Sequence, residues 1–211
     1  AHRVFLGERL STGLFLDQRP QRTWLAQNAK PGWRILNTFA HAGGYSIAAA
    51  VAGAETVSVD LEKAWLDRIP MSLADNGISE ERTEEGHDRI YGDVFDWCRR
   101  LAKRGEKFDV VILDPPSTSI GTKKKRWSAH KDYPELVALT KDLVKPGGCL
   151  WTTTNHRRTS PLEFASLVTA GLSAAGAGSG WYLERVCAPA VDFPCAGEPA
   201  QVKNMVWRAP R

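Results

Sequence analysis

The sequence predicts an α/β fold with a mostly parallel sheet and helices on both faces, and three observations support this prediction. A strand–loop–helix–strand unit occupies residues 34–60. A nearly continuous apolar run, FDVVIL at residues 108–113, has the composition of a central strand that is covered on both faces. Along the rest of the chain, strand-like and helix-like segments alternate, which is typical of α/β folds.

The N-terminal part is predicted to form a hairpin followed by a helix. Residues 3–16 alternate loosely around a turn, which indicates a short hairpin. A helix is expected over residues 20–29, because Pro20 suits a first helical turn and a Pro-Gly pair follows the helix. Arg19 stands just before this helix, where it either binds the carboxylate of a ligand or remains a solvated surface residue.

The unit at residues 34–60 is the centre of the predicted fold. Its first strand leads to the glycine pair Gly43 and Gly44, an Ala-rich helix follows, and the second strand ends at Asp60. Two strands joined by a crossover helix are parallel. Asp60 lies 16 residues beyond Gly44, where nucleoside-binding folds place an acid that hydrogen-bonds the ribose hydroxyls. The alternative is a crossover with a glycine-rich turn and no ligand.

The glycine spacing narrows the choice of nucleoside. Dinucleotide-binding folds carry G-x-G-x-x-G, with the pyrophosphate at the helix N-terminus. The loop here reads AHAGGYS and lacks that triplet. It resembles the first motif of class I S-adenosylmethionine (SAM) methyltransferases, whose ligand has a methionine arm in place of phosphate. A SAM-like ligand is therefore expected.

The next elements follow the same alternation. Residues 61–75 have the spacing of an amphipathic helix that Pro70 kinks or divides. A short third strand at residues 90–92 leads to Asp93, which suits the N-cap of a helix at residues 94–104. In a SAM-binding fold Asp93 would also face the adenine amino group, and Val94 or Phe95 would pack on the ring.

The segment Asp114-Pro115-Pro116-Ser117 follows the apolar strand at residues 108–113. Two prolines stop strand pairing and hold the backbone in a rigid, extended path. At the carboxyl edge of a parallel sheet, such a platform is suited to holding a flat base near a methyl donor. We therefore predict that these four residues belong to the catalytic site.

A basic and aromatic segment, residues 122–131, comes directly after this edge. Lysine and arginine bind phosphates and tryptophan stacks on bases, so we predict contact with single-stranded or looped RNA; a solvated loop is the alternative. Two further arginines follow the fifth strand. The predicted RNA-binding residues are Lys123, Lys124, Lys125, Arg126, Trp127, Arg157 and Arg158.

The remaining segments complete the pattern. The predictions are a helix at residues 132–145, a fifth strand at 149–154, a helix from Pro161 to about Ala175, and an antiparallel closing pair at 181–186 and 202–208. The Pro-rich insert at residues 188–199 is long for a hairpin loop, and such loops are often functional.

Composition sets the broad class. Apolar residues make up 43% and charged residues 25% of 211 residues, which is ordinary for one globular domain. The net charge of +4 favours nucleic acid only slightly. Four cysteines lack C-x-x-C spacing and are expected to be thiols in a reducing compartment. We expect no metal site and no membrane segment.

Several motifs together resemble the bacterial 23S rRNA methyltransferases of the RlmI and RlmK type. This resemblance implies a Rossmann-like class I methyltransferase with a seven-stranded, mostly parallel sheet and an antiparallel closing strand, SAM as donor and ribosomal RNA as substrate. It divides the chain into a hairpin extension at residues 1–19 and a methyltransferase domain at 20–211. The motifs are TGLFLDQR (12–19), LNTFAHAGGYSIAAA (36–50), VSVD (57–60), FDVVILDPPS (108–117), KPGGCLWTTTNHRR (145–158) and DFP (192–194).

The resemblance also implies roles for single residues. Arg19 would meet the methionine carboxylate, Asp60 the ribose, and Asp93 with Val94 the adenine. The cofactor-binding residues that it implies are Phe15, Asp17, Arg19, Asn37, Phe39, Ala42, Gly43, Gly44, Asp60, Leu61, Asp93, Val94 and Asp114. Members of the family usually carry a PUA or THUMP domain for RNA targeting, which these 211 residues do not include.

The resemblance further separates two chemistries. The RlmI branch methylates cytosine C5 through a cysteine nucleophile, and aligning the sequences on Gly147 and Gly148 places Asn155 at that position. The tail TTNHRR is closer to the RlmK branch, which methylates guanine N7, a nitrogen that needs no covalent catalyst or general base. Asp114, Ser117 and Asn155 would then hold the base edge.

Two alternatives to this function remain at this point: cytosine-C5 methylation with another cysteine, and an idle RNA-binding module of the same fold. The expected location is the cytoplasm, or an organelle matrix if a transit peptide was removed.

Overall fold

The computed structural model of this chain describes residues 1–7, 11–79, 86–120, 126–174, 180–193 and 201–211. Among these residues no helix has both the length and the apolar character needed to cross a membrane. The helices are α1 (Arg19–Asn28), α2 (Gly44–Val51), α3 (Lys63–Leu66), α4 (Ile69–Ala74), α5 (Val94–Lys103), α6 (Ala129–Thr140) and α7 (Pro161–Ser173).

A seven-stranded sheet forms the centre of the structure, and a two-stranded hairpin of β5 (Thr118–Ile120) and β6 (Arg126–Ser128) lies outside it. The strands of the large sheet are β1 (Arg34–Thr38), β2 (Glu55–Asp60), β3 (His87–Tyr91), β4 (Phe108–Leu113), β7 (Val144–Thr154), β8 (Tyr182–Cys187) and β9 (Lys203–Arg208).

The order of strands across the large sheet is β3–β2–β1–β4–β7–β9–β8. The first five are parallel, and β9 runs antiparallel to both of its neighbours. The order reverses between β1 and β4, so the connections from these strands leave toward opposite faces. In open α/β sheets, ligands bind in the crevice at the carboxyl ends of the strands that flank such a point.

Both faces of the sheet are covered by apolar side chains, as the run at residues 108–113 predicts. On one face Val111 and Leu113 pack with residues of α5, α6 and α7. On the other face Val110 and Ile112 pack with residues of α1 and α2. The alternation along β4 therefore places successive side chains in two separate cores.

Most predicted elements are confirmed, including the division at Pro70, and several boundaries differ, since β3, α6 and β7 all begin earlier than predicted. Pro70 divides the helix predicted at residues 61–75 into α3 and α4, and it lies in the first turn of α4. The helix predicted at residues 132–145 ends earlier, at Thr140. Val144 already pairs with Phe108 at the start of β7, and residues 145–148 form an irregularity before Cys149 pairs with Val110.

The turn of the predicted N-terminal hairpin, residues 8–10, lies outside the described residues, and the described residues before β1 contain no assigned β-strand. One backbone hydrogen bond, from Phe5 N to Thr12 O (2.9 Å), joins the two arms. The first arm instead binds α4, because Arg3 N donates to Ser72 Oγ (3.3 Å) and the Arg3 guanidinium pairs with Asp75. These side-chain contacts attach the first arm to α4.

The Tyr133 hydroxyl ties together the carboxyl ends of β4 and β7. It accepts a hydrogen bond from Thr153 N (3.0 Å) and lies 3.1 Å from Leu113 O and 2.9 Å from Thr153 O, so that its proton reaches either carbonyl. The side chain is fully buried. The two strand ends that carry Asp114 and Asn155 are therefore held at a fixed separation.

Replacing Tyr133 by phenylalanine tests this tie. We expect Tyr133→Phe to lower the free energy of unfolding by about 1–3 kcal/mol, because buried backbone groups lose their partner and water does not reach them. Urea unfolding of the purified chain measures the change. The matched control is Tyr182→Phe, at an exposed position on β8. Equal effects of the two substitutions would contradict the structural role of the hydroxyl.

Candidate active site

A cleft of about 390 Å³ opens at the carboxyl ends of β1, β2 and β4, within the size range of ligand pockets. Its wall comes from the segment before α1, the loop after β1, the end of β2 and the D-P-P-S segment. Predicted site residues in this wall are Phe15, Asp17, Phe39, Gly44, Asp60, Leu61, Asp114, Pro115, Pro116 and Asn155. Lining residues that the sequence did not predict include Gly13, Leu14, Gln18, Arg22, Ala40, His41, Tyr45, Glu62, Trp65, Ser119 and Val202.

Several predicted cofactor residues lie behind this wall. The Asn37 amide nitrogen donates to Ser46 Oγ (2.9 Å) within the core, and Ala42 and Val94 are buried. Asp93 is the predicted N-cap of α5, since its Oδ1 accepts from Phe95 N (2.9 Å) and Asp96 N. One carboxylate oxygen of Asp93 is thus used by the helix.

Asp60 organises the loop that follows β1. Its Oδ2 accepts a hydrogen bond from His41 N (2.8 Å) and its Oδ1 accepts one from Glu62 N (2.8 Å). Each carboxylate oxygen has a second lone pair. The carboxylate is therefore fixed in position and keeps the capacity to accept hydrogen bonds from a ligand.

The loop between β1 and α2 adopts an unusual backbone conformation. The left-handed region of backbone conformation, which residues other than glycine rarely adopt, is occupied at three positions: Phe39 (φ 56°), His41 (φ 50°) and Gly43 (φ 75°). The His41 ring lies 3.9 Å from the ring of Trp65 between centroids, and burial lowers the pKa of His41. Strained backbone of this kind is concentrated at functional sites.

The glycine pair has two separate roles. A Cβ at Gly43 would come within 2.6 Å of the Ile69 side chain, so the missing side chain admits α4 rather than a ligand. Gly44 begins α2 and lines the cleft, where a Cβ would lie 3.3 Å from Arg22 Cδ. Of the two glycines, only Gly44 therefore lines the cleft.

Two arginines of α1 differ in their surroundings. Arg19 is half-exposed and forms a bidentate pair with Asp192, including an Nη1 to Oδ2 bond of 3.0 Å. Arg22, one helical turn later, is buried in the cleft wall and donates from Nη1 to Phe15 O. The spacing of three residues from Arg19 is the sequence signal that could have identified Arg22.

Asp17, Asp114, Tyr45 and Gln18 share the cleft wall. Desolvation of the Asp114 carboxyl and the negative charge of Asp17 raise the pKa of Asp114 to about 7, although a hydrogen bond from the Tyr45 hydroxyl opposes this rise. The Gln18 Oε1 atom has no hydrogen-bond partner within the described residues. Tyr45 and Gln18 are the two deeply buried members of this group. Both side chains are more than nine-tenths buried.

The edge formed by Ser117 and Asn155 joins β4 to β7. Ser117 Oγ donates a hydrogen bond of 2.6 Å to Asn155 Oδ1, so the two side chains are linked although Ser117 lies just outside the cleft wall. The Asn155 side chain is exposed. Its amide nitrogen is thereby left to donate to a ligand.

The predicted RNA-binding residues lie in different surroundings. Trp127 is wrong as a stacking residue, because its ring is buried against Phe95 and Tyr133 and its Nε1 donates to Pro116 O (2.8 Å). It instead supports the D-P-P-S segment from below. Arg157 and Arg158 are exposed beside Asn155, and Arg126 begins β6. Lys123, Lys124 and Lys125 lie outside the described residues.

The described cysteines are free thiols, as predicted. Cys98 and Cys149 are buried, and burial raises their pKa values to about 12 and about 11. Burial also raises the pKa of Cys187. Cys195 lies outside the described residues. Thiolates, the nucleophilic form, are thus disfavoured at the three described positions.

The raised pKa of Asp114 predicts a pH-dependent stability. The folded state keeps this carboxyl protonated to about pH 7, whereas the unfolded chain ionises near its ordinary value of 3.8. Stability should therefore fall as pH rises from about 4 to 7 and then level off. We expect the stability advantage of Asp114→Asn over the parent to be about 2–3 kcal/mol larger at pH 8 than at pH 5, because pH 5 lies early in this window. Chemical unfolding at both pH values measures this, and an identical difference at both would contradict the assignment.

Comparisons with known proteins complete the description of the site. A family described as S-adenosylmethionine-dependent methyltransferase matches residues 1–208. YwbD of Bacillus subtilis, named as a candidate ribosomal RNA large subunit methyltransferase, is 36% identical over 168 residues, which are 79% of this chain and 41% of that protein. Ribosomal RNA large subunit methyltransferase K/L of Alcanivorax borkumensis is 37% identical over 156 residues, or 74% of this chain and 21% of that protein.

A solved structure resembles nearly the whole chain. SMU.776, titled a candidate methyltransferase complexed with SAH, superposes with a TM-score of 0.88 at 26% identity. The match covers 99% of this chain and 53% of SMU.776. The chain thus spans about half of that protein and less than half of the two curated relatives.

Proposed function

Because this chain belongs to the S-adenosylmethionine-dependent methyltransferase family, we propose that it methylates large-subunit ribosomal RNA, at N7 of a guanine. The observation that carries the proposal is the cleft itself, in which Asp60 and residues 114–116 line one cavity at the switch point of the sheet. The names of the relatives from Bacillus and Alcanivorax support ribosomal RNA as the substrate.

The residues of the cleft fit SAM as its ligand. Asp60 has free lone pairs for the ribose hydroxyls. Asp93 lies outside the cleft wall, and its second carboxylate oxygen is the group proposed for the adenine amino group. We assign the methionine carboxylate to Arg22 rather than to Arg19, since Arg22 lines the cleft and Arg19 is paired with Asp192.

The protein's contribution to the reaction is positioning. SAM supplies an electrophilic methyl group bound to a sulfonium. Pro115 and Pro116 provide a rigid surface for the base, and Asn155, fixed by Ser117, offers amide protons to an acceptor on its edge. Guanine presents two acceptors side by side, N7 and O6. The N7 lone pair attacks the methyl carbon directly, so no proton transfer is required and alignment in a desolvated site is sufficient.

None of the three cysteines that the structure describes lines the cleft, which supports N7 over cytosine C5. Asn155 stands where the cytosine-C5 enzymes would carry their cysteine. Cys149 lies where the regular pairing of β7 with β4 begins, whereas Thr154 ends the strand next to Asn155. The exposed Arg157 and Arg158, with the basic segment at residues 123–126, are proposed to bind RNA phosphates.

We also propose that the chain consists of an N-terminal extension, residues 1–19, and a methyltransferase domain, residues 20–211. The extension would cover the bound cofactor. Its support is that Leu14, Phe15 and Asp17 belong to the cleft wall.

Cofactor binding is tested by titrating the purified chain with SAM in a calorimeter. We expect Asp60→Ala to weaken binding by about 10- to 100-fold, because hydrogen bonds to a charged group contribute roughly 1.5–3 kcal/mol. The matched control is Asp67→Ala, which removes an exposed acid at the end of α3 and should bind SAM normally. Thermal melting would show whether both variants are folded. If they are, equal affinities would contradict the assignment of Asp60 to the site.

Single cysteine variants test the non-covalent chemistry. We expect Cys98→Ala, Cys149→Ala, Cys187→Ala and Cys195→Ala each to retain methyl transfer from labelled SAM to large-subunit ribosomal RNA transcribed in vitro, within about threefold of the parent. A covalent cytosine-C5 enzyme would lose about 10⁴-fold or more with one of them. Such a loss in a folded variant would replace the guanine assignment with the cytosine one.

A further inference from the structure

Two histidine rings lie stacked beside the edge formed by Ser117 and Asn155, and the proposed reaction does not use them. The rings of His130 and His156 are 5.7 Å apart between centroids, and the angle between their planes is 29°. His130 belongs to the first turn of α6, and His156 belongs to the loop between β7 and α7. Two separate elements therefore bring one imidazole each to the same place.

The backbone places both rings next to this edge. Ala129 N donates a hydrogen bond to Ser117 O (3.0 Å), and His130 is the next residue. His156 directly follows Asn155, whose Oδ1 accepts a hydrogen bond from Ser117 Oγ. The stacked pair is thus only one residue away from groups that are proposed to hold or support the target base.

Polar partners at the start of α7 orient both rings. His156 Nδ1 lies 2.7 Å from Thr159 Oγ1, and the Thr159 side chain is buried. His130 Nδ1 lies 3.4 Å from Glu163 Oε1 and 3.5 Å from Thr159 Oγ1. The rings are therefore oriented before any ligand arrives, which lowers the entropy that is lost on binding.

The backbone of the loop that carries His156 is also anchored. Lys203, a buried residue of β9, donates from Nζ to His156 O (2.9 Å). Thr159 N donates to the same carbonyl oxygen (3.2 Å), and His156 N donates to Thr154 Oγ1 (3.2 Å). His156 is consequently fixed through its backbone as well as through its ring.

The pair is nevertheless open to solvent. The His130 side chain is 47% exposed, and among the described residues His156 contributes the only aromatic ring that packs on it. His156 itself is half-buried. An oriented and exposed aromatic ring is a surface on which a nucleobase can stack, and every base has a π face to offer.

We propose that the His130–His156 pair is a stacking platform for an unpaired base of the RNA that lies next to the methylated one. This inference rests on the proposed function, because it assigns a place to a neighbouring nucleotide of the same substrate. Arg157 and Arg158 are exposed in the same loop, where they would bind the phosphates of the strand. The platform would then favour RNA in which the flanking base is unstacked, as in a loop or bulge, over a continuous duplex.

A role for the two histidines in binding phosphate would respond differently to substitution and to salt. Stacking requires a flat ring, so phenylalanine can replace histidine. A phosphate contact requires a cation and releases counterions, so its loss costs less affinity at high salt. The two roles are therefore separable by a small set of variants.

Methyl transfer from labelled SAM to large-subunit ribosomal RNA transcribed in vitro tests the inference. We expect His130→Ala to lower kcat/KM for the RNA at least about fivefold, at about 50 and about 200 mM salt alike, because one base stack is lost. His130→Phe should stay within about twofold of the parent. Arg157→Ala should show a loss that shrinks at the higher salt.

Two controls accompany these assays. Tyr182→Ala removes an exposed aromatic ring at the other end of the sheet, where Tyr182 pairs with Arg208, and should keep the parent kcat/KM. Thermal melting and calorimetric titration with SAM should give parent values for every variant, because the platform does not belong to the cofactor cleft.

The outcomes are distinguishable. A parent-like kcat/KM in His130→Ala, or equal losses in His130→Ala and His130→Phe, would overturn the stacking platform and leave the proposed function intact. A loss in His130→Ala that shrinks at the higher salt would also overturn it. No methyl transfer to the RNA by the folded parent would instead overturn the proposed function. A loss that is independent of salt and is restored by phenylalanine would support the inference.

Discussion

The turn that follows β1 is the constraint on which the site depends. Ala40 N donates to Val59 O (3.0 Å) and His41 N donates to the Asp60 carboxylate, so the end of β2 holds the turn by two hydrogen bonds. Around these contacts the backbone takes positive φ angles at Phe39, His41 and Gly43. The turn therefore leaves the sheet sharply, and the space above β1 becomes the cleft. Packing of α4 on Gly43 keeps the turn closed from behind.

The other side of the cleft depends on a second set of contacts. β4 and β7 part at their carboxyl ends, and the Tyr133 hydroxyl occupies the gap between Leu113 and Thr153. Trp127 holds the D-P-P-S segment through Pro116 O. The catalytic edge is thus supported by buried aromatic residues whose polar atoms bind the backbone. Such support allows an exposed Asn155 to be presented by a rigid framework.

The sequence predicts the fold well because its signals are local. Parallel strands bring their carboxyl ends to one edge, so the placement of Asp60 and Asp114 on one cleft follows from strand order alone. Arg22, Tyr45 and Gln18 could not be predicted in this way, since the direction of a helical side chain depends on how the helix packs. Trp127 misled the prediction because its charged neighbours suggest an exposed loop, whereas its indole completes a core. The β7 boundary was missed because residues 145–148 have the composition of a turn but lie within a strand.

The identity of the methylated nucleoside is the most direct test of the account. In-vitro-transcribed large-subunit ribosomal RNA would be incubated with the chain and SAM, digested to nucleosides, and analysed by mass spectrometry. We expect 7-methylguanosine as the new product, and we expect it to be absent when Asp60→Ala replaces the parent. A new 5-methylcytidine would contradict the assignment of the atom. No methylated nucleoside, from a chain that binds both SAM and the RNA, would contradict the proposed activity.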